Sequence, residues 1–166
     1  MYYKRNIEET INRMANQFAC ITIYGSRQVG KSTLVDYLFS ENIKHISLDD
    51  TFLLSQALEN PKIFIEDLGW PLIIDEIQKA PILLSEIKKK IDEQKLKCLH
   101  ENKKIQLMYI LTGSNQFELQ KQITESLTGR NTVCNLASFS FNEIKQIGVH
   151  GFFSPNIDVL KEKEKK

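Results

Sequence analysis

Apolar positions along this chain switch repeatedly between a helical spacing and short continuous runs. Ile7, Ile11, Met14 and Phe18 recur every three or four residues, which predicts an amphipathic helix over 6–17. Residues 19–24 then form a short β-prone run that stops at Gly25. A glycine loop over 25–30 leads into a predicted helix from Lys31 to Ser40, with Leu34, Val35, Leu38 and Phe39 apolar. Residues 44–48 read as a second strand, and Asp49, Asp50 and Thr51 supply turn and cap chemistry for a helix reaching Leu58. Pro61 suits the first turn of a short helix over 61–68. A third strand is expected over 71–75, a helix over 81–97 opening at Pro81, and a polar loop over 98–104. The almost wholly apolar run 105–111 predicts a fourth strand covered on both faces. A helix over 116–127, a strand over 132–136 and a short helix over 140–147 complete the pattern. Strands alternating with helices predict an α/β fold with a largely parallel sheet. The expected organisation is one domain over 1–150 and a charged tail over 151–166.

Composition adds limits to this picture. With 166 residues, 42% hydrophobic and 26% charged, the chain has the material for one core. A net charge of +1 provides no global field for nucleic acid or an anionic membrane. Cys20, Cys98 and Cys134 fall at no metal-ligand or redox spacing; two read as strand-borne thiols packed as small hydrophobes and one as a thiol on a helix end, in a reducing compartment. The N-terminus has no apolar signal region, and no run approaches the roughly 20 residues that span a bilayer. A cytoplasmic location without membrane contact is the expectation.

The chemistry concentrates after the first strand. Gly25-Ser26-Arg27-Gln28-Val29-Gly30-Lys31-Ser32 fits G-x-x-x-x-G-K-[ST] at every fixed position, between a strand and a helix. This spacing wraps a loop of inward-pointing backbone N–H groups around a phosphate, at the positive end of the following helix. Lys31 would reach the β and γ phosphates, and Ser32 would place its hydroxyl on Mg²⁺. Residues Gly25 to Thr33 are therefore the candidate nucleotide-binding segment, with ATP the expected ligand. Leu72-Ile73-Ile74-Asp75-Glu76 is an apolar strand ending in two carboxylates, at the strand edge where ligands gather in such sheets. Asp75 would hold Mg²⁺, and Glu76 would activate the attacking water. Ser114 and Asn115, after the fourth strand, are candidates for the γ-phosphate or the water, with helix capping as the alternative reading. Arg130 would stabilise transition-state charge in cis or on a neighbouring subunit, or be a surface residue after a helix-ending glycine. His45, His100 and His150 are scattered and read as non-catalytic.

Four separated segments together resemble one group of the AAA superfamily, prokaryotic ATP-binding proteins with an AAA domain. They are Gly25 to Thr33, Ile73 to Pro81, Leu111 to Asn115 and Glu125 to Arg130, and the likeness extends from about residue 5 to 147. The resemblance implies a P-loop three-layer sandwich with its sheet ordered 5-1-4-3-2. It also implies Walker A at 25–32, Walker B at 72–76, a sensor residue near Asn115 and an arginine-finger candidate at Arg130. Members of that group usually continue into a C-terminal domain, and many AAA proteins carry a helical lid. This sequence stops soon after residue 147, so both are expected to be missing and turnover to be slow.

Mg²⁺-dependent ATP hydrolysis is the first functional expectation. A nucleotide-binding switch with negligible turnover, working through a homo-oligomer or partner protein, is the second. A P-loop kinase is a third, with no arginine-rich lid segment to support it. DNA binding has only the basic stretch Lys88-Lys89-Lys90, Lys95 and Lys97 behind it, which reads more simply as a solvated helix face.

Overall fold

The computed structural model describes residues 2–41, 43–114 and 116–145. Its strands are β1 (Cys20–Tyr24), β2 (Lys44–Ser47), β3 (Leu72–Asp75), β4 (Tyr109–Gly113) and β5 (Asn131–Asn135). Between and around them run α1 (Glu8–Ala15), α2 (Lys31–Phe39), α3 (Thr51–Glu59), α4 (Pro61–Leu68), α5 (Leu83–His100), α6 (Gln116–Leu127) and α7 (Phe141–Ile144), with a 3₁₀ turn at Ile77–Lys79. The sheet is wholly parallel in the order β2-β3-β4-β1-β5, the expected 5-1-4-3-2 read from the other edge.

Alternation along each strand divides the core into two layers, because successive side chains point to opposite faces. Cys20, Leu72, Ile74, Tyr109 and Leu111 meet residues of α3, α4, α5 and α6, among them Ala57, Ile65, Ile87 and Leu127. Ile21, Ile23, Ile73, Ile110 and Cys134 face α1 and α2 through Ile11, Leu34 and Val35. The result is a three-layer α/β sandwich.

Local signals place most elements. Asp50 caps α3, its carboxylate accepting from the N–H groups of Phe52 at 2.8 Å and Leu53 at 3.2 Å. Pro61 opens α4 with its fixed φ. Two expectations need correction. The fourth strand lies over Tyr109–Gly113 rather than 105–111, since Ile105 and Leu107 pack against the two cores from outside the sheet. The helix expected over 81–97 begins at Leu83 and continues to His100, with Cys98 buried where a polar loop was expected. The final helix is seen only over Phe141–Ile144, and the expected tail lies outside the described residues.

All three thiols are free and buried. Burial pushes the Cys134 thiol up to about 11 and raises that of Cys20 further, as expected for packed rather than reactive cysteines.

Candidate nucleotide-binding site

The site forms where β1 ends. Gly25 donates its N–H to the carbonyl of Gly113 at 3.3 Å as the chain leaves the sheet. A Cβ at this position would lie 2.2 Å from the carbonyl oxygen of Leu136, so only glycine fits against that backbone. Gln28 and Gly30 adopt left-handed backbone with φ of 62° and 90°, turning the loop back so that Gly30 caps α2. No acidic residue of α2 itself stands in its first turn, where the helix carries a partial positive charge.

Lys31 is buried at the centre of the loop. Its Nζ donates to the carbonyl oxygens of Gly25 and Ser26, each at 3.0 Å. Val29 turns the other way and packs into the α2 side of the core. Its carbonyl accepts from Arg5 Nη1 at 3.0 Å.

Strand alternation explains the acidic side of the site. Asp75 shares the face of Ile73, which looks onto α2, and so meets Ser32 on that helix. Ser32 Oγ donates to Asp75 Oδ2 at 2.7 Å. The hydroxyl of Thr112, fully buried on β4, donates to Oδ1, which also accepts the N–H of Glu76 at 3.1 Å. Glu76 then leaves the strand with φ of 58°. Its Oε2 accepts from Ser114 Oγ at 3.3 Å and from the Gln78 side-chain amide.

One cleft of about 680 Å³ is floored by Gly30, Lys31, Ser32 and Thr33 and walled by Arg27, Gln28, Glu76, Gln78 and Ser114, with Asp75 behind Ser32. Asp49 and Lys79, 2.7 Å apart, stand at the same cleft. The structure thus brings together the loop, Asp75, Glu76 and Ser114. Asn115 lies outside the described residues.

Arg130 is not brought to this cleft. It precedes β5, whose first residue pairs in register with Cys20 at the start of β1, whereas the loop follows the end of β1. There its guanidinium forks onto Asp92 of α5 at 2.6 and 2.9 Å, and Nη1 donates to the carbonyl of Thr128. The hydrogen bond from Arg130 holds the Asp92 carboxyl below the usual carboxylate range, against a smaller opposing effect of desolvation. The expectation that this arginine reaches the nucleotide of its own chain is therefore corrected: it stands at the opposite edge of the sheet.

With a glycine loop after β1, a buried lysine and the carboxylates that end β3 brought together across the intervening β4, comparison with known proteins becomes informative. The AAA domain family matches residues 17–145. The chain belongs to that family. A Walker-type ATPase of Pyrococcus abyssi has a similar fold, with a TM-score of 0.62 at 18% identity over 98% of this chain and 63% of the other. A signal transduction ATPase with numerous domains and a tetratricopeptide repeat sensor, from Pyrococcus horikoshii, aligns at 18% identity over 99% of this chain and 28% of that one, with a TM-score of 0.49. This AAA domain therefore spans less than two thirds of either chain. No curated protein matches it.

In this AAA domain Ser32 and Asp75 set two hard oxygen donors side by side, a set that fits Mg²⁺, which takes few protein ligands and completes its shell with water and phosphate oxygens. Among the described residues no helix is long and apolar enough to cross a membrane. Sequence reasoning missed Thr112, Gln78 and Arg5. Thr112 stands at the polar end of the fourth strand beside the candidates Ser114 and Asn115, Gln78 stands inside a quoted motif without a role, and nothing local marks Arg5.

Proposed function

We propose that this AAA domain binds ATP and hydrolyses it with Mg²⁺ as the accompanying ion. The observation that carries the proposal is the Lys31 ammonium, buried within the loop and bonded only to the carbonyls of Gly25 and Ser26 in the described contacts. A buried cation prefers charged partners to carbonyls, so phosphate oxygens entering the cleft would displace those contacts and gain charge-assisted bonds. The N–H groups opening α2 would cradle the same phosphates.

Ser32 and Asp75 would hold the magnesium ion, with Thr112 fixing the Asp75 carboxylate. When bound, that ion supplies neutralisation of phosphate charge. Glu76 is the general base of this scheme. Its carboxylate takes a proton from water as the water oxygen bonds to the γ-phosphorus. The bond from that phosphorus to the bridging oxygen breaks, and ADP leaves. Ser114 holds the Glu76 carboxylate toward the cleft.

Purified protein is expected to release phosphate from ATP in the presence of Mg²⁺. Glu76→Gln should lower the rate by about 10²–10⁴-fold while ATP still binds. An unchanged rate in that variant would reject Glu76 as the base.

A further inference from the structure

The Ile77–Lys79 turn carries a side chain that the scheme above leaves unused. Gln78 lies between Glu76 and Ser114. Its Nε2 donates to Glu76 Oε2, and stands 3.3 Å from Ser114 Oγ. A carboxylate can only accept, so the amide must present its NH₂ to Glu76, and this fixes where the carbonyl end points. That end, Oε1, is buried and has no hydrogen-bond partner among the described residues. Gln78 nonetheless lines the nucleotide cleft.

Two further features fix the arrangement. Glu76 sits in left-handed backbone, so its carboxylate does not continue the strand direction but turns toward the 3₁₀ turn. Ile77 and Ala80, on either side of Gln78, are fully buried and anchor the turn in the core. Gln78 is thus held on a rigid support beside the carboxylate assigned as base.

We infer that Gln78 is a positioning residue for hydrolysis: its NH₂, together with the Ser114 hydroxyl, sets the angle of the Glu76 carboxylate toward the attacking water. A carboxylate held at one angle takes the proton of the attacking water along one line, which in-line attack on the phosphate requires. This inference rests on the reading of Glu76 as the base.

The test compares Gln78→Ala and the near-isosteric Gln78→Glu with the parent and with Glu76→Gln, after thermal melting shows that each is folded. Both Gln78 variants should lose about 10²-fold in kcat, with KM and the affinity for fluorescent ATP unchanged. They should also fail to trap ADP with aluminium fluoride, a readout of the attack geometry that needs no turnover. Parental kcat and trapping in both variants would overturn the inference, as would a loss of ATP affinity parallel to the loss of rate. An unaltered rate in Glu76→Gln would instead reject the base itself. A lost rate in Glu76→Gln beside a parental rate in the Gln78 variants rejects only the role of Gln78.

Discussion

Two arginines at opposite edges of the sheet pair with carboxylates, and their surroundings differ in every respect that matters for energy. At the loop edge, Arg5 Nε meets Glu143 Oε1 at 3.0 Å with both side chains almost fully buried, at 4% and 7% exposure. Arg5 also donates to the carbonyls of Val29 and Ala137, at 3.0 and 2.7 Å, and its guanidinium lies 4.2 Å from the centre of the Phe139 ring. At the far edge, Arg130 and Asp92 remain 28% and 39% exposed. The arginine that sits in a recognisable motif is thus the surface one, and the arginine with no motif supports the phosphate loop. Burial and partner number, rather than proximity to a motif, identify the group on which the site depends.

Removing Arg5 should have the largest effect on stability. Arg5→Ala leaves a buried carboxylate without its cation, since among the described residues the Glu143 carboxylate then keeps only the N–H groups of Asn6 and Ser140, at 2.9 and 2.7 Å. Loss of one partner from a buried pair costs about 3–5 kcal/mol, which should lower Tm by on the order of 10 °C and slacken the loop through Val29. Thermal melting with and without nucleotide checks both effects. A Tm within a degree of the parent would break the comparison.

Gly25→Ala should come next. Its Cβ meets the Leu136 backbone rather than a yielding side chain, so overpacking of about 1–3 kcal/mol should appear in urea unfolding, together with weakened nucleotide binding.

The buried pair also predicts a pH response. Burial raises the Glu143 carboxyl, but the Ser140 and Asn6 backbone N–H groups, with Arg5, outweigh it and hold its pKa below the ordinary value of 4.5. A folded pKa below the unfolded one gives stability that is present above the unfolded value and lost as pH falls through the folded one. Stability should therefore decline below about pH 4.5, and Glu143→Gln should flatten this part of the curve. Urea midpoints across pH 3–6 would show it.

Arg130→Ala should have the smallest effect. An exposed pair contributes about 0–1 kcal/mol, and the distance of its strand end from the cleft leaves nucleotide affinity of the same chain unchanged. A large loss of affinity in this variant would place the functional arginine back at Arg130.

The sequence made much of this site legible because its chemistry is local. A strand, a glycine loop and a helix start are consecutive, so Gly25 to Thr33 could be assigned from spacing alone. Asp75 and Glu76 were legible as the polar end of an apolar strand. What pairs across the fold was not. Arg5 and Glu143 are far apart in the chain and close only because the segment before α1 meets the segment after β5 at Ala137. The error in β4 has a related cause. Periodicity reports burial, and Ile105 and Leu107 are partly buried without belonging to the sheet, while the polar Thr112 and Gly113 pair with Ile23 and Tyr24 inside it. A buried threonine facing Asp75 breaks the hydrophobic pattern at the point where the strand becomes functional.

The central claim is that the Lys31 ammonium within the loop captures a polyphosphate. Titration of fluorescent ATP against the parent and Lys31→Ala, both shown folded by circular dichroism, tests it most directly. Saturable binding by the parent is expected, with at least a tenfold weaker affinity in the variant, roughly the 1.4 kcal/mol or more that one charge-assisted contact contributes. Equal binding by the two proteins, or no binding by the parent, would contradict it.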